Sequence, residues 1–309
     1  MEEYIKIIDA HSHLWLHQDT MVEGQCIKEM GNGRSMFFGE EVQMLPPFII
    51  DGKNSAEIFL SNMNYARVSA AVVTQEFIDG LQNDYLEEVG RLYPDRFFVF
   101  GMPDFRQEDW LEQAFQLMER GFKGIKIPAA RMIGKDSRIW LNSPQMMKMY
   151  HEMERRGVLL HVELTEGDKQ VGEVEDIITE CPRLRIIIGH FGMVTREGWL
   201  YQIRLARHKR VFVECGGITW LFNDEFYPFP SAVQAIREAA DEVGIDKLMW
   251  GSDYPRTITA ITYKMSYDFV LKSELLDAHE KRLFLSDNAR KLFGFNNLID
   301  LPYIKNMSE

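Results

Sequence analysis

The sequence predicts an α/β fold, a single-domain (β/α)8 barrel of the TIM type, and three observations carry that prediction. Eight apolar runs of strand length, rich in β-branched residues, recur along the 309 residues with segments of helical spacing between them. Runs that are apolar throughout are typical of parallel strands buried on both faces. Eight repeats of strand and helix suit a closed barrel better than an open sheet, and barrels with insertions reach this length as one domain.

The predicted elements alternate in chain order. Strands are expected over residues 5–9, 68–74, 97–101, 122–127, 158–162, 184–189, 211–214 and 247–250. Helices are expected over residues 56–67, 84–93, 110–120, 144–156, 172–180, 198–208, 231–243, 261–271 and 279–293. An open, doubly wound sheet is the alternative, but the G-x-G-x-x-G fingerprint that often follows the first strand of such a sheet is absent. We therefore expect one domain over residues 1–309.

The segment 14–54 is too long for an ordinary connection after the first strand. It contains Gly24, Gly31, Gly33, Gly39, Gly52 and the pair Pro46-Pro47, which predicts a long irregular loop. In a barrel such a loop emerges on the catalytic face, where it can act as a lid that excludes water. A surface insertion or an oligomer contact is the alternative.

Composition and charge exclude several classes of partner. With 35 basic and 47 acidic residues the formal net charge is −12, which argues against nucleic acid and favours a small-molecule substrate. No run approaches the roughly 20 apolar residues that span a bilayer, so we expect no membrane partner. The acidic start Met1-Glu2-Glu3 is not followed by a signal-peptide pattern, which predicts a cytoplasmic protein. Three widely spaced cysteines without a C-x-x-C pair indicate reduced thiols.

The first chemical signal is Asp9-Ala10-His11-Ser12-His13, directly after an apolar run. Side chains at positions i and i+2 leave a strand on the same face. Two neutral imidazoles on one face form half of a transition-metal site, and imidazole suits zinc, iron, nickel or manganese better than magnesium or calcium. An ordinary strand pair is the alternative, so the missing ligands must come from later strands.

Three later strand ends carry residues of the required type. His161 ends the fifth predicted strand, His190 ends the sixth, and Asp253 follows the eighth. In a (β/α)8 barrel all C-terminal strand ends meet in one mouth, so these residues become neighbours of the first-strand histidines. A hydrogen-bonded rim histidine or a turn-capping aspartate would explain each residue alone. Together they predict one site.

At these residues the chain resembles the amidohydrolase superfamily, and within it the amidohydrolase-2 branch of metal-dependent TIM-barrel enzymes. The resemblance covers most of the chain, from the first-strand motif to Asp287-Asn288-Ala289-Arg290-Lys291-Leu292-Phe293. Between them lie Gly121-Phe122-Lys123-Gly124-Ile125-Lys126, Ile188-Gly189-His190-Phe191-Gly192 and Trp250-Gly251-Ser252-Asp253-Tyr254-Pro255. The combination of these motifs is specific, although any one of them alone is not.

The resemblance implies a role for each of these residues. It implies that His11, His13, His161 and Asp253 hold one divalent transition metal, with zinc favoured and manganese as the alternative. It further implies that Asp253 handles protons and that His190 acts as an acid/base or polarising group that faces the water or the substrate. A divalent metal lowers the pKa of bound water toward roughly 7. A carboxylate beside it can accept that proton and later deliver it to the leaving group.

Lys126 ends the fourth predicted strand, where some superfamily members carry a carbamylated lysine that bridges two metals. A second metal is therefore expected only if Lys126 is carbamylated. The branch that this chain resembles is mostly mononuclear, so we favour one metal and a Lys126 that binds a carboxylate or carbonyl of the substrate. A structural salt bridge is the alternative.

Other residues carry weaker expectations. Arg256 is expected to clamp an anionic substrate, with a surface position as the alternative. Trp15 and Trp220 are expected to line the pocket, with aromatic packing under the long loop as the alternative. Glu163 and Glu214 are candidates for carboxylates that orient an imidazole.

Three functions remain open from sequence. The first is a metal-dependent hydrolase of a lactone, amide or ester, because Trp250-Gly251-Ser252-Asp253 is similar to the corresponding segment of sugar-lactone hydrolases. The second is a non-oxidative decarboxylase, a carbon–carbon lyase, although some aryl decarboxylases have glutamate where this chain has His11. The third is a metal-binding scaffold without catalysis, against which the retention of every expected ligand type speaks. Relatives are often dimers, so a homodimer is a further expectation.

Overall fold

The computed structural model describes residues 4–133 and 138–308, so the acidic start at residues 1–3 lies outside the described residues. The strands, in chain order, are β1 (Ile7–His13), β2 (Asp19–Val22), β3 (Gln25–Gly31), β4 (Arg34–Phe37), β5 (Glu40–Gln43), β6 (Val68–Thr74), β7 (Phe97–Val99), β8 (Gly124–Ile127), β9 (Leu159–Val162), β10 (Ile186–Ile188), β11 (Val211–Glu214) and β12 (Leu248–Met249). Eight of these fall on the eight predicted strands, and β2 to β5 lie in the segment predicted as a loop.

The eight predicted strands form a closed parallel barrel. They pair in two groups, in the orders β1-β6-β7 and β12-β11-β10-β9-β8. At one seam the Ala10 amide donates to the Trp250 carbonyl at 2.9 Å, and at the other the Gly101 amide donates to the Gly124 carbonyl at 2.9 Å. Backbone hydrogen bonds therefore join the groups on both sides, and the predicted (β/α)8 fold is confirmed.

Helices surround the strands in the predicted order. They are α1 (Ala56–Ala66), α2 (Asn83–Leu92), α3 (Trp110–Glu119), α4 (Pro144–Arg156), α5 (Val171–Glu180), α6 (Trp199–Arg204), α7 (Ile218–Leu221), α8 (Pro230–Val243), α9 (Met265–Lys272), α10 (Ala278–Arg282) and α11 (Asn288–Phe293). Local chemistry fixes their ends. Before α10, the Asp277 carboxylate accepts the Glu280 amide at 2.8 Å and the Glu280 carboxylate accepts the Asp277 amide at 2.9 Å, which is a capping box.

Two apolar layers position the functional end of the barrel. One fills the space between the strands and the helices, with Phe59, Val73 and Ile125 among its buried members. The other fills the barrel interior, where Ile8 and Ile187 are buried together with Phe293 of α11. The interior below the strand ends is therefore packed with side chains, and open space for chemistry is confined to the C-terminal mouth.

The segment 14–54 is an antiparallel sheet, so the expectation of a long irregular loop was wrong. Its strands pair in the order β2-β3-β4-β5. Each hairpin turns through two residues with positive φ: Glu23-Gly24, Asn32-Gly33 and Phe38-Gly39. Two such residues are what a tight hairpin turn requires, and Asn-Gly is the strongest sequence signal for it. The glycines that suggested irregularity mark the turns of a regular sheet.

This sheet is fastened to the barrel on the side of β1 and β6. The Asn54 side chain donates through Nδ2 to the His13 carbonyl at 2.6 Å, and the Gln18 side chain donates through Nε2 to the Ile78 carbonyl at 3.0 Å. Arg106, after β7, donates to the Met21 carbonyl at 2.6 Å. These bonds attach the sheet to the barrel beside the mouth. Over residues 4–133 and 138–308, no helix has the length and apolar character that a membrane crossing needs.

Candidate metal centre

An irregularity in β1 aims His11 and His13 into the mouth. Both lie inside β1, and Ala10 faces the barrel interior, so strict alternation would turn His11 away from it. Between Asp9 and Ser12, β1 contains one more residue than the stretch of β6 that it pairs with. An extra residue of this kind reverses the alternation and re-aims the side chains, as β-bulges beside active sites do.

Three ligand atoms from the two ends of the chain converge at this point. His11 Nε2 and His13 Nε2 lie 3.0 Å apart. Asp253 Oδ1 lies 3.1 Å from His13 Nε2 and 3.7 Å from His11 Nε2. All three side chains are buried, and among the described residues their ligand atoms form one of two groups that could hold a metal ion.

The protonation of the two imidazoles explains why this convergence suits a cation. His11 Nδ1 lies 2.8 Å from a Glu214 oxygen, and His13 Nδ1 lies 2.6 Å from an Asp79 oxygen. A carboxylate accepts a proton from each Nδ1, so in the neutral imidazoles both Nε2 atoms carry lone pairs that face each other. Burial alone would lower the pKa of His13, but the Asp79 carboxylate outweighs it and raises the pKa to about 9. The surroundings of His13 thus favour positive charge.

Two buried atoms of the predicted ligands have no hydrogen-bond partner among the described residues. They are Asp253 Oδ1 and His161 Nδ1. An unpaired buried polar atom is costly, and a cation bound between His11, His13 and Asp253 would satisfy Asp253 Oδ1. Burial, followed by the charge of Lys126, lowers the pKa of His161 to about 3, so this imidazole is neutral and competent as a ligand. The residues present fit a divalent transition metal.

Glu214 connects the histidines, as the sequence suggested for it. Its Oε1 lies 3.1 Å from His161 Nε2 and accepts the His190 amide at 3.0 Å. The second group that could hold a metal is His11, His161 and Glu214. In that group both imidazole contacts have ordinary hydrogen-bond lengths, so we assign Glu214 to orientation of the ligands.

Two hydrogen bonds hold Asp253 in place. Its amide donates to the His11 carbonyl at 2.9 Å, and its Oδ2 accepts the Trp220 indole N–H at 2.8 Å. Its backbone has a φ of 58°, a left-handed conformation that aspartate tolerates better than most residues. Burial would raise the pKa of Asp253, but the neighbouring His13 imidazole and the charge of Arg256 hold it well below its usual value. Trp220 therefore lies at the site, bonded to a predicted ligand.

His190 lies beside the predicted ligands, with its ring centroid 4.5 Å from that of His11. Its Nδ1 donates to the Gly216 carbonyl at 2.9 Å. That bond assigns the proton to Nδ1 and leaves Nε2 as the reactive nitrogen, 3.6 Å from a Glu163 oxygen. The site thus contains every histidine that the strand-end pattern selected.

Lys126 lies between two carboxylates. Its Nζ is 3.3 Å from a Glu163 oxygen and 3.6 Å from a Glu76 oxygen. Burial would lower the pKa of Lys126, but the charges of Glu163, Glu76 and Glu214 raise it. Burial and the charge of Glu163 raise the pKa of Glu76 to about 8. The carboxyl groups around Lys126 therefore favour its charged form, and Glu76 is a buried member of this network that the sequence reasoning missed.

Two residues predicted to bind substrate have structural partners. Arg256 donates to an Asp79 oxygen at 2.7 Å, and Asp79 in turn contacts His13. Trp15 is only 1% exposed and packs with Met44, Leu45 and Ile49 of the insertion. Arg256 thus lies at the edge of the metal centre, whereas Trp15 lies in a separate apolar cluster, which corresponds to its packing alternative.

The comparison with known families covers the part of the chain that contains these residues. A family model described as Amidohydrolase matches residues 8–295. The chain belongs to the amidohydrolase family. The predicted family and the predicted enzyme type are thereby confirmed, and the match includes every predicted ligand of this amidohydrolase.

Several solved structures share the fold. A probable 2-pyrone-4,6-dicarboxylic acid hydrolase from Acinetobacter baumannii, with citric acid bound, is 20% identical over 94% of this chain and 100% of its own, with a TM-score of 0.66. An amidohydrolase from Burkholderia multivorans with bound zinc is 16% identical over 93% and 99%, with a TM-score of 0.66. A 2,6-dihydroxybenzoate decarboxylase from Rhizobium is 17% identical over 78% and 89%, with a TM-score of 0.59. A comparison with curated proteins gave no match.

Proposed function

We propose that this amidohydrolase is a metal-dependent hydrolase of a small organic substrate with a lactone, amide or ester bond. The observation that carries the proposal is the convergence of His11 Nε2, His13 Nε2 and Asp253 Oδ1 within 3.7 Å of one another. Two imidazole lone pairs and a carboxylate oxygen at such distances repel one another unless a metal ion or a proton lies between them, and a set of two imidazoles and a carboxylate is suited to a transition metal.

His11, His13, His161 and Asp253 would hold one divalent metal, and their nitrogen-rich set favours zinc over magnesium or calcium. When bound there, the metal lowers the pKa of water toward neutrality and polarises a carbonyl. A single metal is favoured because Lys126 Nζ lies between Glu76 and Glu163, which favours its charged form, whereas carbamylation requires a neutral amine.

The chain's own residues supply the proton transfers. As water adds to the substrate carbonyl, the Asp253 carboxylate takes its proton, and it delivers that proton to the leaving oxygen or nitrogen as the scissile bond breaks. His190, whose Nδ1–H is bonded to Gly216, presents Nε2 to the reacting group. In its protonated form it stabilises the oxyanion.

The experiment is metal analysis of the purified chain combined with turnover of a panel of lactones, amides, esters and aromatic acids. We expect one bound zinc per chain and release of a carboxylic acid without carbon dioxide. His11→Asn should abolish both metal binding and turnover, whereas His208→Asn, an exposed control, should change neither. A chain that hydrolyses substrate with no metal after dialysis against a chelator would refute the proposal.

Decarboxylation is the second candidate, because the Rhizobium decarboxylase shares the fold over 78% of this chain. The same panel separates the two reactions. Stoichiometric carbon dioxide from an aromatic acid, without hydrolysis of any lactone or ester, would assign the lyase reaction. A cytoplasmic location and a homodimer stay predictions from the sequence.

A further inference from the structure

A cavity of about 700 Å³ lies at the end of the barrel opposite the metal centre. It is formed around the start of β1 and the end of α1, where Ile7 pairs with Val68, and its walls come from α9, α10 and the C-terminal tail. β1 runs from this cavity to His13, a distance of roughly 20 Å at 3.3 Å per residue. The volume suits a small molecule, and the distance separates it from the substrate of the proposed hydrolase.

The lining of this cavity is basic. Its basic residues are Arg67, Lys264, Lys281 and Arg282. Among the described residues of the lining, the one carboxylate is Asp268, and Lys272 neutralises it at 2.8 Å. Arg282 contacts Asp287 at 3.2 Å. In a chain with a formal net charge of −12, a concentration of cations in one concave site favours an anionic occupant.

The same lining is also aromatic. Tyr4, Tyr65, Tyr267 and Tyr303 belong to it. The Arg67 guanidinium lies 3.9 Å from the centre of the Tyr4 ring and 6.0 Å from that of Tyr303, so the cation is flanked by aromatic rings. Tyr65 is 73% exposed, which leaves most of its ring for a ligand. Aromatic walls around cations suit a molecule that carries negative charge on a flat apolar body.

We propose that this cavity binds a small organic anion with an aromatic body, such as an aryl carboxylate or an aryl phosphate. Its acidic group binds among the lysine and arginine side chains, and its ring packs against the tyrosines. The site needs no metal, because it lies at the other end of β1. Binding at this site is therefore independent of the proposed hydrolysis, and either proposal can fail without the other.

The test is isothermal titration calorimetry of the full chain with phenyl phosphate, benzoate and inorganic phosphate. We expect one site for an aromatic anion and much weaker binding of inorganic phosphate. Comparison of phenyl phosphate with benzoate decides between a phosphate and a carboxylate ligand. Lys264→Glu reverses one exposed charge and should weaken aromatic-anion binding roughly tenfold.

Three further variants complete the design. Tyr65→Ser should weaken phenyl phosphate and leave inorganic phosphate unchanged, because it removes only the exposed ring. Lys169→Glu, an exposed charge reversal outside the cavity, should leave the dissociation constant unchanged. His11→Asn, in the metal centre, should also leave it unchanged. Binding that is lost in His11→Asn but kept in Lys264→Glu, or no binding of either aromatic anion at millimolar concentration, would overturn the proposal.

Discussion

Glu214 Oε1 lies 3.1 Å from His161 Nε2, and the same oxygen lies 2.8 Å from His11 Nδ1. One carboxylate thereby fixes the tautomers of imidazoles from two different strands. It takes Nε2–H from His161 and Nδ1–H from His11, so the opposite nitrogen of each ring is left with its lone pair.

Glu214→Gln should therefore weaken zinc binding by about 10- to 100-fold, because the neutral amide orients both imidazoles less firmly and makes them less basic. Competition with a chromophoric chelator measures the affinity. Glu119→Gln, an exposed substitution, serves as the control. An unchanged zinc affinity in a folded Glu214→Gln chain would contradict this role.

His190→Asn should lower kcat by about 10²- to 10⁴-fold and leave one zinc per chain, because His190 is placed beside the ligands as an acid/base group. Steady-state kinetics and metal analysis of the same preparation measure the two effects. The comparison variant is His208→Asn, on the protein surface. Loss of zinc together with activity would show that His190 is instead a ligand.

Trp220→Phe should weaken zinc binding about tenfold, because it removes the N–H that holds Asp253 Oδ2 while it keeps an aromatic ring. Trp199→Phe, which changes a tryptophan stacked on Phe191, controls for the loss of one indole. The affinity is read from chelator competition, since intrinsic fluorescence changes in both variants. Equal affinities for the two variants would remove Trp220 from the metal centre.

The position of residues at C-terminal strand ends predicted which side chains come together, because barrel geometry brings all those strand ends to one mouth. Once His161, His190 and Asp253 are assigned to C-terminal strand ends, closure of the barrel brings them to His11 whatever the loops do. The prediction that His11 and His13 act together did not depend on the bulge in β1, because residues two apart lie on the same face of a strand whichever face that is. The residues whose positions follow directly from the strand order of the barrel were thus the most predictable.

Partners of these residues were less predictable, because a hydrogen bond depends on side-chain positions that spacing does not define. Glu76 and Asp79 follow β6 and contact Lys126 and His13. His161 was selected because it ends a predicted strand. Glu76 and Asp79 would have been selected in the same way if acidic residues after every predicted strand had been considered. Arg256 shows the same limit, since its pairing with Asp79 follows only from the folded chain.

Lys126→Met should cost about 3–5 kcal/mol of unfolding free energy, because it leaves the Glu163 carboxylate without the ammonium that lies 3.3 Å away. Urea denaturation followed by circular dichroism measures the change. Lys123→Met alters an exposed lysine three residues earlier and should change stability little. Two zinc ions per wild-type chain, lost in Lys126→Met, would show a carbamylated lysine instead.

Gly33→Ala should cost about 3 kcal/mol, because its φ of 73° is strained for alanine and an added Cβ would lie 2.4 Å from the Leu45 carbonyl oxygen. Gly24→Ala has a φ of 75° but meets no atom within 4 Å, so only about 1 kcal/mol is expected. Thermal unfolding compares the two. Equal losses of stability in the two variants would mean that the backbone at the Asn32-Gly33 turn shifts to accommodate the added Cβ.

The seam between β1 and β12, closed by the Ala10 amide and the Trp250 carbonyl, divides the metal centre between the first and the last strand of the barrel. A chain emerging from the ribosome carries His11, His13 and His161 long before Asp253 is made. During synthesis it therefore presents only part of the proposed donor set. Coordination by the whole set would require the C-terminal quarter of the chain to return onto the N-terminal strand.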